Sequence, residues 1–303
     1  MFKPFNKGLV KRSNNKNKQK HMKTKNLLSN LSIGLLIAGS IFTVSCRKAT
    51  RELLNDSATN SEDEQTEMVE DNADQISDAA LKGDNSGFRL GGADEFSKLV
   101  SSCAVITRDS LNHADQDTTT IDFGNGCTGP DGKVRKGKII IYHTLKYFEA
   151  GSVRKTTFLN YYVNDNKLEG ERTVTNKGKN SSNQSYWEVV ASNMKLTRAD
   201  GKFRTWSSSR IRTIISGEQT TERSDDVYRI EGSASGVNGK GDTFTATITN
   251  PLIKSTDCRW IKQGVIVFSV QDKADRTIDF GDGNCDDQAV VTVKNKTKTI
   301  TLK

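Results

Sequence analysis

From about Val100 to the C-terminus the chain alternates β-branched and aromatic residues with polar ones, and Gly, Asn or Asp interrupts the alternation every 8–15 positions. Side chains that point to opposite faces of a pleated strand in turn produce this period of two, and residues that accept turn geometry mark where a strand must end. The pattern predicts strands at Ala104–Thr107, Thr119–Phe123, Lys138–Lys146, Val153–Val163, Lys167–Asn176, Tyr186–Thr197, Phe203–Ile215, Val227–Ser235, Thr243–Asn250, Gly264–Gln271, Thr277–Phe280, Ala289–Lys294 and Thr297–Leu302. Several links are short and carry hairpin chemistry: "VNDNK" at Val163–Lys167, "ADGK" at Ala199–Lys202, "VNGKGD" at Val237–Asp242 and "KNKT" at Lys294–Thr297. Consecutive strands should therefore pair antiparallel. The expected fold is an all-β antiparallel meander over residues 98–303, forming a twisted sheet, a sandwich or a partly closed barrel, and long enough for one well-buried core.

Two segments within this stretch resemble each other. Cys103 runs through "TTTIDFGNGC" to Cys127, and Cys258 through "RTIDFGDGNC" to Cys285, closing loops of 25 and 28 residues. A β-rich run follows each copy, so residues 103–146 and 258–303 read as related segments, with no partner copy for the residues between them. Four cysteines pair in three ways. The repeat favours Cys103–Cys127 and Cys258–Cys285, and a four-cysteine zinc site would need the CxxC pairs this chain lacks.

The N-terminus points to an oxidising compartment, where such bridges persist. Lys23 and Lys25 precede an apolar run of 12 residues, Ile33–Val44, and Cys46 follows directly after Ser45. A membrane-spanning helix needs about 20 residues, so the run reads as the core of a cleavable signal whose cysteine takes diacylglycerol. The expected organisation is an upstream extension at 1–21, a lipoprotein signal at 22–45 starting at Met22, and an acidic tether at 46–97. In the tether, Met68, Val69, Ala73, Ile76 and Ala80 recur at helical spacing.

Charge follows the same division. Residues 1–45 hold nine of the 45 Lys and Arg and none of the 37 Asp and Glu. Without them 36 basic residues face 37 acidic ones, a net charge of −1 in place of +8. Nucleic acid is not expected as a partner, because the basic footprint it requires would leave with the signal.

The strings "TIDFGNGCTGPDGKVRKGKIIIYHT", "FLNYYVNDNKLEGERTVTN", "DDVYRIEGSASG", "NPLIKSTDCRWIKQGVIVFS" and "IDFGDGNCDDQAVVTV" occur in that order. From Cys103 onward they resemble an uncharacterised family of lipid-anchored envelope proteins common in Bacteroidetes. That resemblance implies localisation and a β-rich domain, and no catalytic residues.

Several motifs invite sharper chemistry. Asp122 and Asp279, each in "TIDFG", would suit a two-aspartate protease, but a hydroxyl residue should follow each aspartate and Phe123 and Phe280 stand there. A simpler reading has Asp capping a turn, Phe entering the core and Gly taking a left-handed backbone. Asp282, Asn284 and Asp286 have the alternate spacing of a calcium loop, without its Gly at position six or its Glu at position twelve. No catalytic residue, cofactor or firm metal site is expected; His113 and His143 lie in no nucleophile context. Tyr142, Tyr147, Tyr161, Tyr162, Tyr186, Trp187, Trp206 and Trp260 could supply a stacking platform. The tripeptides holding Ser57, Ser110 and Thr118 are similar to the O-glycosylation signal of Bacteroidetes envelope proteins.

The expected role is a non-enzymatic outer-membrane protein held by its N-terminal lipid, facing periplasm or cell surface, that binds a glycan, lipid or protein or serves structurally. The alternatives are an envelope hydrolase whose acid and base only the fold brings together, and a lipid or glycan carrier, which needs an open interior.

Overall fold

The computed structural model describes residues 69, 72–77, 80–81, 103–109, 117–144, 148–220 and 224–302. The chain divides into two compact units, Met1–Phe42 and Thr43–Lys303, and every described residue lies in the second.

Its strands are β1 (Val105–Asp109), β2 (Asp117–Asp122), β3 (Cys127–Thr128), β4 (Val134–His143), β5 (Val153–Val163), β6 (Asn166–Lys179) and β7 (Ser185–Thr197), continuing with β8 (Phe203–Ser216), β9 (Val227–Val237), β10 (Thr243–Ser255), β11 (Gln263–Val270), β12 (Arg276–Asp282), β13 (Gln288–Val293) and β14 (Lys296–Thr301). They form one 14-stranded antiparallel sheet in chain order, with the two-residue β3 set aside against β4. The sheet is not closed and has β1 and β14 as its edges, the all-β antiparallel meander the sequence predicts. Each strand expected from the sequence is present, and β3 is the addition.

Turn chemistry sets the register. Asn164 and Asp165, and Lys294 and Asn295, all have positive φ, so two-residue turns join Val163 to Asn166 and Val293 to Lys296. At the "ADGK" link Arg198 and Lys202 close a longer loop in which Gly201 adopts a φ of 82°.

One face of the sheet is apolar and covered. Ile121, Ile139, Ile141, Tyr161, Leu168, Met194 and Trp206 point into it from β2 to β8, and a second cluster from Leu252 to Val293 continues it through β10–β13. Residues 69, 72–77, 80 and 81 are helical, and Val69, Ala73, Ile76, Ala80 and Leu81 are buried in the first cluster. Burying a side chain the size of Ile or Leu contributes about 1.5–3 kcal/mol. This part of the acidic stretch therefore belongs to the folded body.

Extra residues in alternate strands bend the sheet. β5 carries one at Leu159–Asn160 and β7 one at Ser192–Asn193, and Asn160 and Asn193 both have positive φ. Glycines on the strands alongside make room: a Cβ on Gly137 would stand 1.8 Å from the Asn160 carbonyl oxygen, and one on Gly170 2.7 Å from that of Asn193. Only glycine fits backbones this close.

Candidate functional site

Both repeated corners are built alike. Disulfides join Cys103 to Cys127 and Cys258 to Cys285, the pairing the repeat favours. In each copy the aspartate side chain caps the turn that follows, Asp122 Oδ1 accepting from Gly124 N–H at 2.8 Å and Asp279 Oδ1 from Gly281 N–H at 2.9 Å. Gly124 and Gly281 have φ of 57° and 90°, Phe123 is buried and Phe280 packs against the second cluster. The hydrogen bond from Lys138, with that from Gly124, holds the Asp122 carboxyl below its ordinary value.

The strand order overturns the two-aspartate reading. Eight strands, β4 to β11, separate β2 from β12 in an open sheet, so Asp122 and Asp279 share no site. The acidic loop after β12 uses its oxygens internally: Asn284 Nδ2 donates to Asp282 Oδ1 at 3.2 Å, and Asp286 Oδ1 accepts from Gln288 N–H at 2.9 Å. Among the described residues no three His, Cys, Asp or Glu side chains converge on a metal position.

The inner face holds an arginine clamp on the helical segment. Arg135, fully buried on β4, donates through Nη2 to Asn72 Oδ1 at 2.7 Å and to Asp131 Oδ2 at 2.6 Å. Its Nη1 donates to Asp131 Oδ1 at 3.0 Å. Arg172 pairs with Asp74, and Arg108 Nη2 donates to the Ala80 carbonyl at 2.6 Å. Burial works to raise the Asp131 carboxyl, and the hydrogen bonds and charge of Arg135 outweigh it, leaving the group below its ordinary value. Burial pushes the Tyr161 phenol far above its ordinary value, although Arg135 beside it pulls the other way. A buried charge has to be satisfied from several sides, and here the helical segment supplies part of that set.

The register also places Asp117 opposite His143, and His143 opposite Arg154, on the inner face. Two residues along β2, Thr119 is buried. It is the one carboxylate–histidine pairing the fold assembles among the described residues.

The outer face has two characters. Across β4–β7 it is charged and ion-paired: Lys155 reaches Glu171 at 2.7 Å, Lys167 reaches Glu169 at 2.8 Å, and Lys138 reaches Asp122 at 2.8 Å. Across β8–β14 two neighbouring rows of outward positions are hydroxyls with a single exception, Val267, and they are flanked on the same face by Ile211, the Arg229–Glu231 pair, Val265, Asp279 and Val290. One row runs Ser207, Ser235, Thr245, Ser269 over β8–β11. The next runs Ser209, Ser233, Thr247, Val267, Thr277, Thr292, Thr297 over β8–β14, skipping no strand. Neighbours within a row lie about 4.8 Å apart. Phe203, 49% exposed, stands on the same side of β8, with Lys195 Nζ 4.7 Å from its ring centre.

Among the described residues the aromatics that could have formed a platform do not come together on one face. Tyr161, Trp187 and Trp206 are buried on the inner face, Tyr142, Tyr162 and Tyr186 are half-buried on the outer one, and Trp260 lies beside Arg259 near the second disulfide. Thr118 sits within β2, paired to Asp109 and Tyr142. Cys46, Ser57, Ser110, His113, Tyr147 and the signal and extension at 1–45 lie outside the described residues. The hydroxyl rows escaped the sequence reading, although "TFTATIT", "GSASG" and "TKTIT" carried the alternation. No protein-family description, curated protein or solved structure matches the chain.

Proposed function

We propose that this chain is a lipid-anchored protein of the cell envelope, placed at the outer membrane through Cys46, that binds a partner through the outer face of its sheet without catalysing a reaction. The observation that carries the binding role is the occupied inner face: the chain's own helical segment and two apolar clusters fill it, leaving the outer face to meet a partner. The anchor is supported by the basic start, the 12-residue apolar run and Cys46, and by the two disulfides that use every remaining cysteine. Membership of the Bacteroidetes envelope family it resembles is part of the same proposal. A lipid carrier would need the inner face open, and side chains occupy it.

The test is Cys46→Ser in the native host. The proposal expects the wild type in the outer-membrane fraction and the variant released from it. A variant that stays in the membrane fraction contradicts the lipid anchor. The hydrolase alternative would rest on Asp117 and His143; hydrolysis of an envelope polymer that disappears in His143→Gln would favour it.

A further inference from the structure

We propose that the band of two hydroxyl rows on the outer face of β8–β14 is a docking surface for a neutral polysaccharide, an inference that rests on the outer face being the working face.

Strand propensity accounts for the threonines, which suit a pleated surface, but not for Ser207, Ser209, Ser233, Ser235 and Ser269, which gain little from it. The outer face of β4–β7 carries ion-paired Lys and Glu. Neither hydroxyl row has a charged residue: the first spans the four strands β8–β11 and the second the seven strands β8–β14, the longer a width of about 29 Å at the usual strand spacing.

A hydroxyl both donates and accepts and turns to suit its partner, and a sugar polymer offers donors and acceptors of the same kind along an extended chain. Docking two uncharged surfaces strips water from no ion, which is the expensive step in burying polar groups. Phe203, exposed on the same face, supplies the apolar ring against which the C–H face of a sugar can stack. An anionic polymer would find no cation within these rows with which to form charge-assisted bonds, the nearest being Lys195 over the Phe203 ring. A protein partner needs a buried aromatic or aliphatic centre, whereas Val267 is the only large apolar side chain within the rows, with Val265 and Val290 outward in the row beside them.

The experiment is native affinity electrophoresis of the full chain, extracted in detergent, through gels containing dextran, mannan, xylan or laminarin, with dextran sulfate as charged comparator. The proposal expects retardation by at least one neutral polymer. It expects binding to be weaker by about tenfold, about 1.4 kcal/mol, in S233K/T247K and in Phe203→Ala, because a row cation must be desolvated and the stacking ring is lost. Lys136→Ala, on the charged half, should bind as wild type. Retardation by no neutral polymer, retardation by dextran sulfate alone, or binding unchanged in S233K/T247K would overturn it. The mass of the N-terminal peptide, read on the same preparation, separates the two proposals. A lipidated protein that no neutral polymer retards refutes only the docking surface, and a retarded protein without lipid refutes only the anchor.

Discussion

Ile76 has no exposed surface and sits where the helical segment meets the sheet. Replacing it with Ala removes three carbons from the first apolar cluster, a transfer loss of about 0.8 kcal/mol each. The walls of the resulting hole belong to long, paired strands such as β4–β7 that cannot collapse freely. Buried aliphatic residues cut to Ala in such settings cost about 2–5 kcal/mol, and about 3 is expected here. With a urea dependence of about 3 kcal/mol/M, the equilibrium unfolding midpoint should fall by about 1 M with the slope unchanged. Gln75→Ala, next in sequence and only half-buried, should stay within about 0.5 kcal/mol of wild type. If Ile76→Ala unfolds at the wild-type midpoint, the helical segment is not part of the core, and the acidic stretch is a tether throughout.

Replacing Cys103 and Cys127 together by Ser should destabilise by about 3.5 kcal/mol on the chain-entropy estimate for a loop of this size, measured by thermal unfolding in the absence of reductant. Gly137→Ala should cost upwards of about 2 kcal/mol, because it places a side chain at positive φ against the Asn160 carbonyl; circular dichroism melting reads this. The Asp131 carboxyl is held below its unfolded value of 3.8, so its contribution is complete above that pH and fades as pH falls through the folded value. Acid titration of stability should therefore lose part of its slope below pH 3.8 in Asp131→Asn, which is also less stable at pH 7 because Arg135 loses its counter-charge.

The strands were legible because turns announce themselves locally: Asn164–Asp165 and Lys294–Asn295 adopt the positive φ that their residue types favour. Which face each strand turns inward was harder to read. On β8 the inner face carries Arg204, Arg210 and Arg212, and Ile215 is exposed on the outer one, so polarity alone would choose wrongly. Aromatic rings explain two of the inward arginines: Arg204 lies 4.1 Å from the Phe244 ring centre, and Arg212 lies 5.6 and 5.4 Å from those of Trp187 and Tyr228. The helix period around Val69–Ala80 was visible, but its burial depends on Arg135, Arg172 and Arg108, which come from far along the chain. The bulge at Asn160 depends likewise on Gly137, more than twenty residues earlier. Pairings of that range have no local signature.

The envelope assignment meets its most direct test in the mature N-terminus of protein recovered from its native membrane. Mass spectrometry should find a chain that begins at Cys46 and carries a diacylglycerol thioether on the sulfur. A chain that retains residues 22–45, or one cut elsewhere with Cys46 unmodified, would contradict it.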